Sequence, residues 1–240
     1  MRISTWFHKL SYLWLGRVMA LVIASATLMP GEAMATFSTT MHSFNHLDLN
    51  SSTPPYTGGL TMGSDGNLYG TLSSEGAQYP YGSVYKITPG GTYTELHAFS
   101  ATDPAGTYPA AHLILGNDGN MYGTTNSSLF RITPNGTLTI VANNFSSDGI
   151  VQGIDGSFYS TVRVGSAATG YHGEIFKVTP SGVVSSLHVF SNNSDGCGNV
   201  LPLIRGSDGN FYGGMTDCGG GGKGTIYKIT PNGVFTVLNA

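Results

Sequence analysis

Three observations predict an all-β fold made of repeated four-stranded sheets. Glycine is abundant, 35 of 240 residues, about twice its usual share of ~7%. Charged residues are scarce at 10%, while 13 Tyr and 11 Phe supply large flat side chains. The chain is also self-similar: the prolines of one recurring signature, Pro89, Pro134, Pro180 and Pro231, are spaced 45, 46 and 51 residues apart. That period matches the ~40–50 residues of a four-stranded propeller blade. The fold class is therefore a β-propeller of four four-stranded blades plus one extra N-terminal strand, either a small closed ring or an open arc of a larger propeller.

The same numbers exclude other classes. A coiled coil needs about half A/E/K/L/R, and a disordered tail lacks this many aromatics. A net charge of −3 with no basic block argues against a nucleic-acid partner.

Residues 1–35 have the layout of a secretory signal peptide. Arg2, Lys9 and Arg17 form a basic leader, Val18 to Met29 an apolar run, and Ala33-Met34-Ala35 a small-x-small cleavage site. The apolar run is shorter than the ~20 residues that span a bilayer, so cleavage after Ala35 is expected. Loss of Arg2, Lys9, Arg17 and Glu32 leaves 205 residues and takes the net charge from −3 to −5. The expected product is secreted, periplasmic or at the cell surface, with no membrane association after cleavage. Residues 36–240 then form one repeat domain. Residues 37–44 read as an extra strand that resembles the last strand of a blade.

The repeats span about 58–99, 111–145, 149–190 and 201–240. Each opens on a Leu-x-x-Gly run (Ile150 leads the third), followed by Asp-Gly: Leu60 to Tyr69, Leu113 to Tyr122, Ile150 to Tyr159 and Leu203 to Tyr212. The run is strand a, and Asp-Gly is a tight hairpin turn, because it tolerates positive φ. Asp65, Asp118, Asp155 and Asp208 are thus structural turn residues. Each turn offers one carboxylate where calcium wants 6–8 oxygens, so no metal is expected. Strand b follows with Tyr69, Tyr122, Tyr159 and Tyr212, read as packing between blades. Strand c is the Val-Tyr-Lys-Ile-Thr run, closed by Pro-x-Gly, where proline sets φ and glycine takes the left-handed position. Strand d is the Thr-x-Leu-His-x-Phe run. The last repeat ends at Leu238-Asn239-Ala240, one residue before the Phe of that pattern. One reading of that ending is a truncated repeat protein without independent function.

Strand parity assigns the connections to two faces. The a–b and c–d turns emerge on one face and are uniform. The b–c connections (72–82, 126–127, 160–173, 213–224) and d–a connections (45–58, 100–110, 146–149, 191–200) emerge on the other and vary in length. Length variation on one face of a repeating scaffold marks the binding face. Its candidate ligand-binding residues are Glu75, Tyr79, Tyr81, Asp103, Tyr108, Tyr171, His172, Asp217 and Lys223. Tyrosines with acids and amides suit carbohydrate or a cell-surface protein. Cys197 and Cys218 share this face, and an exported chain can keep them as a disulfide.

Other recurrences read as scaffold. His42, His97 and His188 share a strand-d position with Asn143 and Asn239. Strand d lies three spacings of ~4.8 Å from the innermost strand, so histidines of different blades cannot share one ion and read as edge or packing residues. Lys86, Arg131, Lys177 and Lys228 on strand c diverge likewise. Along the inner channel stand Met62, Leu115, Gln152 and Arg205, of which Gln152 and Arg205 are a pair to test. The sequence has no nucleophile elbow, zinc motif or phosphate loop, so no catalytic residue and no cofactor are assigned.

The motifs Gly-Ser-Asp-Gly-Asn-Leu-Tyr-Gly-Thr, Val-Tyr-Lys-Ile-Thr-Pro-x-Gly and Leu-His-x-Phe resemble the GloVer-type ("choice-of-anchor") tandem-repeat family of exported bacterial proteins over nearly all of residues 37–240. That resemblance implies propeller blades and no defined activity. The Asp-Gly-Asn-Leu-Tyr and Lys-Ile-Thr-Pro pieces are also similar to blades of streptogramin (virginiamycin B) lyase-like propellers. The enzyme alternative implied is a lyase, with His172 and Glu75 or Glu174 as its candidate acid–base groups. The leading expectation is a non-catalytic binding or surface-associated module.

Overall fold

The structure is a computed structural model. It describes residues 14–15, 18–24, 38–44, 59–73, 80–109, 112–145, 147, 149–166, 170–191, 195, 197–217 and 224–239. At 14–15, 18–24, 38–44, 163–166, 170–172, 197–199 and 217 it describes the backbone path.

Three N-terminal strands come first: β1 (Trp14–Leu15), β2 (Val18–Ala24) and β3 (Ser38–Phe44). Blade one is β4 (Thr61–Met62), β5 (Leu68–Leu72), β6 (Ser83–Ile87) and β7 (Tyr93–Ala98). Blade two is β8 (Ile114–Leu115), β9 (Met121–Thr124), β10 (Ser128–Ile132) and β11 (Leu138–Asn143). Blade three is β12 (Ile150–Gln152), β13 (Phe158–Ser166), β14 (Gly170–Val178) and β15 (Val184–Val189). Blade four holds β16 (Cys197–Val200), β17 (Ile204–Arg205), β18 (Phe211–Asp217), β19 (Thr225–Ile229) and β20 (Phe235–Asn239). Each blade is a sheet of sequential antiparallel neighbours, and β16 adds a fifth strand to the last one.

The innermost strands touch in chain order, β4 on β8, β8 on β12 and β12 on β17. Among the described residues, β17 and β4 make no comparable contact, so the four blades form an arc. The extra N-terminal strand differs from expectation. β3 pairs with β2, in a sheet of β1, β2 and β3 separate from the blades. An edge strand with free N–H and C=O groups takes an available partner, and Val18–Ala24 supplies one here.

The repeats build their interfaces from the same positions. Between blades one and two, Tyr69, Val84 and Phe99 meet Leu113, Met121, Phe130 and Ile132. Between two and three, Tyr122, Leu129 and Phe145 meet Phe158 and Val178. Between three and four, Tyr159, Ile175 and Phe190 meet Leu203, Phe211, Tyr227 and Ile229. Strands b and c are apolar on both faces because, in blades one to three, each is covered on both sides.

Two local devices recur. Each turn aspartate bonds the tyrosine four residues on, as Asp65 Oδ2 accepting from Tyr69 Oη at 2.7 Å and Asp118 from Tyr122 at 2.9 Å. A Cβ on Gly63 would lie 2.6 Å from both partners, which is why strand a ends on glycine. The second device is a bulge in every c–d pair: Leu96, Val141, Leu187 and Leu238 are each skipped in the register. The bulge carbonyl then meets the turn glycine of the next blade; a Cβ on Gly182 would sit 2.1 Å from the Val141 carbonyl oxygen.

Candidate functional site

The variable face is best built between blades one and two. The segment from Ser100 to Pro109 leaves strand β7 and lies over the short turn at Asn126-Ser127. Its attachment is reciprocal. Thr107 N donates to Asn126 Oδ1 at 3.0 Å, and Asn126 N donates to Thr107 O at 3.0 Å. The Ala105 carbonyl accepts from Thr125 Oγ1 at 2.5 Å and Ser128 Oγ at 2.6 Å. Gly106 has φ 86°, and a Cβ there would strike Ser127, Asn126 and Thr125; only glycine lets the loop sit so low.

On this platform three candidate residues come together with a fourth. Tyr108, a non-glycine residue at φ 53°, donates its N–H to Tyr81 O at 2.8 Å. The two rings lie 6.2 Å apart at 56°, Tyr108 exposed and Tyr81 half-buried. Asp103 Oδ1 accepts from Ala105 N at 2.9 Å, and Asp103 Oδ2 accepts from His97 Nε2 at 2.7 Å. His97, Asp103, Pro104, Ala105, Leu138 and Ile140 line a cavity of about 400 Å³. The pair thus fastens a loop and walls one side of a hollow.

Blade three repeats the pair more loosely. His188 Nε2 is 3.4 Å from Asp195 Oδ2 without a hydrogen bond, and its ring stacks on Phe235 at 3.8 Å. Burial pushes the His188 imidazole below its ordinary range, with Asp195 opposing. Burial pushes the Asp195 carboxyl up, but the Ser191 hydroxyl and amide hold it below the usual carboxylate range. In blade two the register sets Ala142 opposite Leu129, where Val84 meets His97. Asn143 is therefore not the counterpart of the histidines; the extra residue is Asn144, just after β11, which offsets any match counted back from Phe145.

Other expected loops take regular form. Residues 160–166 and 170–173 are strand, not loop: β13 and β14 pair Gly165 with Tyr171 and Val164 with His172. Residues 197–200 form β16, which sets Cys197 opposite Asp217. Two long apolar-to-polar arms can pair past the blade edge, a possibility that glycine and serine content in 160–173 masked. Glu75, Tyr79, Cys218 and Lys223 lie outside the described residues.

The turn aspartates are engaged locally. Asp155 accepts from Ser157 N, Tyr159 Oη and Lys177 Nζ. Burial raises its carboxyl, but Lys177, Tyr159 and Ser157 outweigh that and hold it at about 2. Burial first, then Asp118, pushes the Tyr122 phenol up to about 12. Gln152 and Arg205 do meet, but as a clasp: Arg205 Nη1 donates to Gln152 O at 2.9 Å and Gln152 Oε1 accepts from Asn117 N at 2.9 Å. Among the described residues no group of three His, Cys, Asp or Glu could hold a metal, and no helix is long and apolar enough to cross a membrane.

The architecture is that of a β-propeller. Among solved structures the chain is similar to a gluconolactonase from Xanthomonas campestris, at 11% identity and TM-score 0.54, over 77% of this chain and 62% of that one. It therefore spans about three fifths of that protein's length. It is also similar to an endo-1,5-α-L-arabinanase from Thermotoga petrophila, at 15% identity and TM-score 0.44 over 95% of this chain and 73% of that one. A GH93 α-L-arabinofuranosidase of Fusarium graminearum aligns at 13% identity and TM-score 0.46, over 76% of this chain and 66% of that one. At these identities the likeness concerns the fold. No protein-family model matches the chain, and no curated protein matches it.

Proposed function

We propose that this is an exported β-propeller repeat protein, of the GloVer-type tandem-repeat kind, that binds a carbohydrate or a cell-surface glycan-bearing protein without transforming it. The observation that carries the reading is the Tyr81–Tyr108 pair held on a fixed platform. Tyrosine rings fixed at low entropic cost stack on flat sugar faces. Exposed Asn126 and Ser127 stand beside them as hydroxyl partners, and the hollow at His97 and Asp103 offers the concavity a ligand needs. Two residues of the sequence list, Tyr81 and Tyr108, supply the contact, and Asp103 supplies the support.

A glycan array with the leader-free protein tests this. A bound glycan is expected, with affinity falling about tenfold or more (~1.4 kcal/mol) in Tyr81→Ala/Tyr108→Ala. A blank array, or unchanged affinity in that variant, would sink the reading.

A further inference from the structure

The fourth blade repeats, on its outward side, the positions that cover the next blade elsewhere in the chain, but here they are exposed. Four positions, one per strand, face forward: Thr61, Tyr69, Val84 and Leu96 in blade one; Ile114, Tyr122, Leu129 and Val141 in blade two; Val151, Tyr159, Ile175 and Leu187 in blade three. Their counterparts in blade four are Ile204, Tyr212, Ile226 and Leu238. Val84, Leu129 and Ile175 are 0% exposed. Ile226, in the same place, is 54% exposed, with Ile204 at 68% and Leu238 at 51%. The result is an apolar stripe that runs from the innermost strand to the outermost.

We infer that this stripe is a docking face for the rear side of a further blade of the same repeat type. The three internal interfaces specify the occupant. It brings an apolar residue at the start of strand b (Met121, Phe158, Phe211), an aromatic in mid-strand c (Phe130, Phe176, Tyr227) and an aliphatic at its end (Ile132, Val178, Ile229). It also brings a Pro-x-Gly turn. The glycine seats against the bulge of the preceding blade, Gly136 against Leu96 and Gly233 against Leu187, and the exposed bulge at Leu238 awaits one. Lys86 Nζ donates to the Pro134 carbonyl across the first interface at 2.8 Å, and Lys228 occupies the same strand position in blade four. Two copies of the stripe placed face to face would set lysine beside lysine, with no turn carbonyl to receive either. A second copy cannot offer its first blade, since the rear of that blade is already covered: Leu72, Tyr85 and Ile87 are buried.

The test tethers the proposed occupant, so that its effective concentration is high. A copy of residues 99–145 is appended after Ala240, where its phenylalanine falls in repeat register. Thiols introduced by Ile226→Cys, and by Ile175→Cys as a covered control, are alkylated in the full chain and mapped by mass spectrometry. In the unextended chain, position 226 should label fast and position 175 slowly. Extension should slow position 226 by about tenfold or more, as closure of a local site does. Met121→Lys with Phe130→Lys inside the appended copy should restore labelling. The inference is overturned if position 226 labels equally fast after extension, if protection survives the two lysines, or if position 226 is already protected in the unextended chain at twice its mass.

Discussion

At the scale of single residues, the turn aspartates explain most of what the repeat keeps. A carboxylate that accepts from the backbone two residues on and from a tyrosine four residues on needs the glycine before it to have no side chain, and needs the strand-b position to be tyrosine. Spacing alone makes the Asp-Gly turn legible. The Asp–Tyr bond is less so, because strand-b tyrosines also serve as packing residues and nothing in the sequence separates the two roles. Asp155 carries the clearest electrical consequence. Its folded carboxyl sits near 2, below the ~3.9 of a free aspartate. Its contribution is therefore complete above pH 4 and is lost as pH falls toward 2. The Lys177–Asp155 pair is partly solvated, so after screening it contributes on the order of 0.5 kcal/mol. Thermal melts from pH 5 to 2 should show the midpoint falling in that window, and Asp155→Asn should lower it at pH 5 while flattening part of the slope. An unchanged slope would refute the assignment.

At the scale of elements, four strands per blade follow from turn chemistry, whereas the departures come from pairings that no local signal encodes. The bulge in every c–d pair costs one residue of register, and that single residue decides that Ala142, not Val141, faces Leu129. The long hairpin of β13 and β14 arises because paired arms satisfy their own backbone groups. The site was partly legible: Asp103 and Tyr108 stand in a long connection, but His97 was hidden in a strand whose histidines looked like edge residues. The His97–Asp103 bond links strand to loop, so the two should be energetically coupled. In a double-mutant cycle, His97→Ala and Asp103→Ala should each cost about 1 kcal/mol and add to less than their sum, with faster amide exchange confined to residues 100–109. Additive costs would mean that the contact fastens nothing. On the same face, β16 brings Cys197 opposite Asp217, one residue before Cys218. A disulfide there closes about 20 residues, worth on the order of 3 kcal/mol in the chain-entropy model. Unreduced, denatured protein should then take up no alkylating agent, and Cys197→Ser should lower the melting temperature. Two labelled thiols would end that expectation.

At the scale of the whole molecule, stability resides between blades more than within them. A four-stranded sheet has two apolar faces and little core of its own, so each blade depends on its neighbours for burial. The repeat period made that legible, since a fixed spacing of turn signatures implies equivalent sheets stacked through equivalent residues. Whether the stack closes was not legible, because a strand-c isoleucine looks the same whether or not another blade lies over it. The structure separates the cases: Ile175 is covered by blade four and Ile226 by nothing. Two chemically identical substitutions should therefore differ. Ile175→Ala removes buried methyl groups and leaves a cavity between blades, at a cost of about 2–5 kcal/mol. Ile226→Ala removes groups already in water and should stay within about 0.5 kcal/mol. Urea melts of both variants measure the difference directly. Equal losses would mean that the fourth face is covered in solution and that the arc closes or associates there. A large loss at position 175 alone would establish that each blade is stabilised by the one that follows, leaving the last with an unused face.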